Sequence, residues 1–178
     1  MAENADTSAS AASSGDVSSP LVSSGASTAG NWQGRVDFYI LEGSSPSGRL
    51  KLACKLAEKA YLASQTVLVW HSDAAELRAF NEMLWTFNDG SFVPHEPLAG
   101  NGALSPDAPV LLSSGVAPSA NVDIIINLAP EIPSCLPLTA RIAEIIDGDD
   151  TRRRAGRARF KAYRELGVQP ASHNIRGD

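Results

Sequence analysis

Val122-Asp-Ile-Ile-Ile-Asn-Leu128 carries the strongest β-strand signal in the chain, and its reading decides the fold. Three consecutive isoleucines between Val and Leu leave no polar side to turn toward water, which is the pattern of a strand covered on both faces. Thr66-Val-Leu-Val-Trp70 has the same character: short, β-branched and apolar on both faces. Strands of this kind sit in the middle of a parallel sheet with helices above and below.

The flanking segments supply those helices. Upstream, Val36-Asp-Phe-Tyr-Ile-Leu41 is a β-rich run closed by the turn-forming Gly43-Ser-Ser-Pro-Ser-Gly48. Arg49 to Ala63 then places Leu50, Ala53, Cys54, Ala57, Ala60 and Tyr61 at helical spacing, with Lys51, Lys55, Glu58 and Lys59 mostly opposite. Asp73 with Glu76 three residues on is a variant capping box that opens a helix running to about Trp85. Residues 88–109 are rich in Gly, Pro, Asn and Asp and predict a long irregular segment. Ser91-Phe-Val-Pro-His95 is its only aromatic cluster. Val110-Leu-Leu112 is a further strand, and Leu138 to Ile146 and Thr151 to Leu166 are expected as helices separated by Asp147-Gly-Asp-Asp150. The alternation predicts a three-layer α/β/α domain with a mostly parallel central sheet.

Of residues 1–30, 21 are Ala, Ser, Thr or Gly, and the branched apolar residues are Val17, Leu21 and Val22. Such a segment buries too little surface to offset its ordering entropy, so residues 1–34 are expected as a disordered tail and 35–178 as the domain, with folding beginning near Trp32. No basic-then-apolar leader and no run of about 18–20 apolar residues is present, so a cytoplasmic protein that does not cross a membrane is expected. Cys54 and Cys135 are isolated thiols without CxxC spacing, expected as small buried side chains in a reducing compartment.

Catalytic and cofactor signatures are missing. Gly43 and Gly48 have the spacing of a phosphate-binding loop, but Arg49-Leu50 follows where Lys and then Ser or Thr would hold phosphate and magnesium. There is no G-x-G-x-x-G, and His71, His95 and His173 are too scattered in sequence for a zinc motif. Asp147-Gly-Asp-Asp150 is too short for an EF-hand loop and sits where carboxylates favour a helix start. No cofactor and no catalytic residues are expected.

Charge is the more informative signal. The chain has net charge −5, yet residues 35–150 carry 7 basic and 15 acidic side chains while residues 151–178 carry 8 basic and 2 acidic ones. On a helix at about 100° per residue, Arg153, Arg157, Phe160 and Arg164 fall within a stripe about 60° wide, with Lys161 beside it. Ala155, Ala158, Ala162 and Leu166 lie opposite and are expected to pack on the sheet, leaving Phe160 facing outward. Guanidinium groups around an apolar ring suit an acidic peptide or a nucleic acid. The acidic remainder of the domain favours the short peptide.

The residues also show a family resemblance. Val36-Asp-Phe-Tyr-Ile-Leu41, Leu84-Trp85, Ser91-Phe-Val-Pro-His95, Leu98-Ala-Gly100, Asp123-Ile-Ile-Ile-Asn-Leu128 and Arg157-Ala-Arg-Phe-Lys-Ala-Tyr-Arg-Glu-Leu-Gly167 resemble, in order and spacing, the chi subunit of bacterial DNA polymerase III holoenzyme. The resemblance implies a Rossmann-like, non-catalytic adaptor of the clamp-loader complex, in the cytoplasm at the replisome. Its implied partner is the acidic, Phe-ended C-terminal tail of single-stranded DNA-binding protein (SSB), which would connect it to DNA indirectly. The matching positions are Arg153, Arg157, Phe160, Lys161 and Arg164, with Ile146 and Gly167 nearby, and Phe160 stands where relatives commonly have Tyr. A second implied surface, at Trp85, Phe92 and Pro94, would hold the psi subunit of the clamp loader. The competing readings are a Rossmann-class nucleotide- or S-adenosylmethionine-dependent enzyme and a direct single-stranded nucleic-acid binder.

Overall fold

The computed structural model describes residues 32–176. Its elements are β1 (Arg35–Glu42), α1 (Pro46–Leu62), β2 (Val67–Trp70), α2 (Ala74–Thr86), β3 (His95–Pro97), β4 (Val110–Ser113), β5 (Ile124–Asn127), β6 (Arg141–Ile146), α3 (Asp150–Glu165) and β7 (Ala171–Arg176). The strands form one sheet in the order β3-β4-β2-β5-β6-β1-β7, and every ladder in it is parallel. The central strands β2, β4 and β5 are buried at every residue, as their unbroken apolar runs require.

Alternate side chains feed two cores. On one face Val67, Val69, Ile124, Ile126, Ala143 and Ile145 pack beneath Ala53, Cys54 and Ala57 of α1 and Leu77, Phe80 and Leu84 of α2. On the other, Val36, Phe38, Leu68, Trp70, Ile125, Ile142 and Ile146 meet Tyr163 of α3. The result is the expected three-layer α/β/α arrangement.

The expected tail lies outside the described residues except for 32–34. Trp32 is buried and its indole Nε1 donates to the Thr139 carbonyl at 2.6 Å, so the folded part includes it.

Three elements differ from expectation, the first being the short strand β3 (His95–Pro97), which lies inside the segment expected as irregular and pairs with β4. Leu138 to Ile146 is not a helix: a 3-10 turn at Leu136–Leu138 leads into strand β6, which pairs with β5 and β1. Ile142, Ile145 and Ile146 have helical spacing, but they belong to a strand in which residues 142–146 are all buried, so no alternation marks it. The edge strand β7 was not expected, because four of the six residues of Ala-Ser-His-Asn-Ile-Arg are polar, three of them in a row, and alternate positions are exposed. At α2 the Asp73 carboxylate caps the Ala75 amide at 2.7 Å. Glu76 does not close a capping box but lies 3.5 Å from Arg49, and His71 Nδ1 accepts the Asp73 amide at 2.8 Å.

Candidate functional site

Helix α3 starts where Asp149 accepts the Arg152 amide at 2.9 Å, and it ends at Gly167, whose φ of +84° only glycine adopts without strain. Its inward side is not the alanine face. Gly156, Arg159 and Tyr163 are the buried residues, whereas Ala158 is exposed. The reason is a polar anchor. Glu144, fully buried on β6, accepts from Arg159 Nε at 2.8 Å, from the Tyr163 hydroxyl at 2.7 Å and from Asn127 Nδ2 at 3.0 Å. Arg159 also donates to the Pro130 carbonyl at 2.7 Å, so the buried charges are paired and hydrogen-bonded. Burial, followed by the neighbouring Glu144 carboxylate, pushes the Tyr163 hydroxyl pKa up and keeps it a donor.

This anchor fixes the rotation of α3 and thereby opens a groove of about 340 Å³ between the helix and strands β6, β1 and β7, lined by Phe38, Ile40, Ile146, Arg153, Gly156, Arg157, Phe160 and Ser172. Phe160 is half-buried rather than facing outward. Its ring sits 5.2 Å from that of Phe38 at 58°, forming an apolar wall. Ile146, buried at the end of β6, supplies the floor. Arg153 is exposed at the rim, and its Nε donates to the Asp147 carbonyl at 3.2 Å. Arg157 is exposed beside it and has no hydrogen bond or ion pair among the described residues.

The other expected contributors lie outside the groove. Lys161 is exposed and 3.6 Å from Glu165, and Arg164 is exposed one turn farther along. Gly167 is at the opposite end of α3, about 21 Å from Arg153 at 1.5 Å per residue. There it lines a separate depression with Trp32, Gln33 and Arg35. Phe38, Ile40, Gly156 and Ser172 are groove residues the sequence reading did not name. The period-2 pattern of Val36, Phe38 and Ile40 and the glycine in mid-helix were their signals.

The second expected surface is exposed. Trp85 at the end of α2 is 55% accessible and Phe92 is 64% accessible, with ring centroids 5.7 Å apart. His95 on the edge strand β3 lies 4.8 Å from Trp85, and Pro94 between them is half-buried. Val93 alone in this stretch turns into the core.

The family model described as "DNA polymerase III chi subunit, HolC" matches residues 34–171. The chain belongs to the DNA polymerase III chi subunit family. DNA polymerase III subunit chi of Pseudomonas aeruginosa is 38% identical over 141 residues, spanning 79% of this chain and 96% of that protein. The subunits of the same name from Haemophilus influenzae and Escherichia coli are each 28% identical, over 78% and 73% of this chain and 95% and 90% of their own length. Among solved structures, the crystal structure of T4 UvsW superposes with a TM-score of 0.56 at 11% identity. It covers 80% of this chain and 41% of its own, a likeness of fold alone.

In this chi-family chain the carboxyl ends of β5 and β6, where open α/β sheets receive ligands, are occupied by its own side chains, whereas the ends of β1 and β7 border an open cavity of about 460 Å³ lined by Gly43, Ser45, Ser47, Gly48 and Lys51. Arg49, buried at the start of α1, donates to the Leu128 carbonyl at 3.0 Å. Arg152 grips Asp147 through two hydrogen bonds of 2.8 Å. Burial would raise the Asp147 carboxyl, but the Arg152 bonds and the Asp149 amide outweigh it and hold the group below the usual carboxylate range. The histidines serve structural bonds: His71 to the Asp73 amide and His95 to the Val93 carbonyl locally, and His173 of β7 to Asp37 of β1. Burial pushes the thiols of Cys54 and Cys135 up to about 12 and about 11. Among the described residues no cluster of three or more His, Cys, Asp or Glu could hold a metal ion, and no helix is long and apolar enough to cross a membrane.

Proposed function

We propose that this chi-family chain is a non-catalytic accessory subunit that bridges SSB to the clamp loader of DNA polymerase III. The α3 groove receives the acidic, Phe-ended C-terminal tail of SSB, and the Trp85–Phe92 surface receives the psi subunit. The single observation that supports the tail site best is the apposition of an apolar slot with a free cation: Phe160, Phe38 and Ile146 shape a space for a ring, and Arg157 at its rim has no partner among the described residues. A terminal Phe would place its ring in the slot and its α-carboxylate against Arg157 and Arg153. The preceding acidic residues would run along the α3 surface toward Lys161 and Arg164. Such a contact is dominated by solvent-exposed charges and weakens with salt.

Exposure of Trp85 and Phe92 supports the second surface, because large apolar side chains left beside one another on a folded domain mark a contact with a partner. Calorimetric titration of the full chain with an acidic peptide ending in Phe tests the tail site. Saturable 1:1 binding that weakens between low and high salt is expected. Absence of binding, or equally tight binding of a bare oligodeoxynucleotide, would replace this reading with direct nucleic-acid recognition by the α3 cations or remove it.

A further inference from the structure

The groove has its depth because position 156 is glycine. Gly156 is buried on the inner side of α3, three residues after Arg153 and four before Phe160, and it lines the groove itself. A Cβ built on Gly156 would collide with Cδ1 of Ile146 and stand 3.1 Å from its Cγ1. The Ile146 side chain therefore occupies the space that a methyl group on the helix would take. In exchange, it leaves the groove open beside the wall that Phe160 and Phe38 form. Ile146 is packed within the core that includes Phe38, Ile142 and Tyr163 and also lines the groove, so the groove offers open space to a displaced Ile146. The helix cannot lift away instead, because Arg159 and Tyr163 tie it to Glu144.

We infer that Gly156, acting through Ile146, is a specificity-determining residue that sets the size of the terminal side chain the groove accepts. This rests on the peptide-binding reading of the groove and adds its selectivity. With glycine at 156 the slot accommodates a phenyl ring. Phe38, Ile40, Ile146 and Phe160 form its apolar lining, which suits an apolar terminal ring, while Ser172 and the arginines supply its polar lining. A side chain at 156 would make the slot shallow and shift preference toward smaller terminal residues.

The prediction runs against ordinary helix behaviour. Alanine is the better helix former, but here its Cβ presses on Ile146, so a purely structural role predicts an equal loss for both peptides, whereas the inference predicts a changed ratio between them. The test titrates the full chain, Gly156→Ala, and the double variant Gly156→Ala/Ile146→Val with acidic peptides that differ only in ending in Phe or in Leu. Thermal unfolding by circular dichroism is recorded for each protein. The expected result is at least a tenfold loss for the Phe-ended peptide in Gly156→Ala, with a smaller loss for the Leu-ended one. Recovery to within about threefold is expected when Ile146→Val removes Cδ1, the atom that collides. A folded Gly156→Ala that binds the Phe-ended peptide as the parent does, or a loss that Ile146→Val fails to rescue, overturns the inference. Ile146→Val alone, which keeps the native glycine, should improve binding of a Trp-ended peptide relative to the Phe-ended one. An unchanged ratio counts against the inference even if Gly156→Ala does not fold. Failure of the parent chain to bind any of the peptides removes the peptide-binding reading itself, and the selectivity inference with it.

Discussion

Arg159 of α3 and Glu144 of β6 meet at 2.8 Å with both side chains buried, and this pair decides which side of the basic helix faces the sheet. A charge is tolerated there because its partner is equally buried and the remaining lone pairs and protons are bonded by Tyr163, Asn127 and the Pro130 carbonyl. Arg153 and Arg157 are left on the groove rim by the same rotation.

Removing one member of that pair strands the other. Arg159→Leu is expected to cost about 3–5 kcal/mol in urea unfolding, and the double replacement Arg159→Met/Glu144→Leu should recover part of the loss, since the buried Tyr163 hydroxyl and Asn127 amide then lose their acceptor. Equal destabilisation by the single and double variants would show that the pair's charges are not what the single variant leaves exposed.

Arg157→Ala should behave in the opposite way. Arg157 is exposed and bonds to nothing among the described residues, so the melting temperature should hold while affinity for the acidic Phe-ended peptide falls. Loss of one charge-assisted contact corresponds to about 1–3 kcal/mol, or roughly 5- to 150-fold. Calorimetry that returns the parent affinity would move the site elsewhere.

Gly167 separates the helix end from the groove. Its φ of +84° makes Gly167→Ala destabilising by about 1 kcal/mol, since an L side chain is strained in that region. Peptide affinity should be unaffected, because the residue lines the depression at Trp32 rather than the groove. A selective loss of peptide binding by a stable Gly167→Ala would extend the site along the whole helix.

Trp85→Ala and Phe92→Ala remove side chains that are more than half exposed, so stability should change by only about 0.5 kcal/mol. Retention of clamp-loader components in a pull-down from cells should be lost while peptide binding at α3 persists. Undiminished retention by both variants would argue that the aromatic pair is not the contact.

Acid should weaken the fold through Asp37 and Asp147. Burial would raise the Asp37 carboxyl, but bonds from His173, Arg35 and Arg141 outweigh it, and both aspartates lie below the usual carboxylate range. A depressed carboxylate pKa contributes stability that is fully present above the unfolded value and is lost as pH falls through it toward the folded value. Melting temperatures between pH 7 and pH 2 should therefore drop chiefly below about pH 4 to 5. Asp37→Asn and Asp147→Asn should each flatten that limb, and an acid limb as steep as the parent's in both would exclude these groups as its cause.

Much of the architecture was legible in the chain. The loop after β1 is shorter than Gly43–Gly48 because α1 begins at Pro46, while the apolar runs at Val67–Trp70 and Ile124–Asn127 and the Asp73 cap appear where local pattern placed them. Strand β6 did not, because a strand buried on both faces loses the period of two, and the isoleucines at 142, 145 and 146 imitate a helix. Edge strand β7 was hidden for the converse reason: half its residues face water, and its pairing with β1 is a contact between residues more than 130 positions apart, such as Asp37 with Ala171.

For the site, the residue pattern alone marked a basic helix centred on Phe160, because charge spacing and helical period are local properties, although strand β7 follows that helix. It could not determine which arginine is buried. Arg157 and Arg159 are two residues apart and chemically identical, yet one lies at the groove rim and the other in the core. The difference is made by Glu144, which only the folded sheet brings within 2.8 Å of Arg159. Likewise Gly156 reads in the sequence as a weak helix position. Only the approach of Ile146 from β6 shows the space it keeps open.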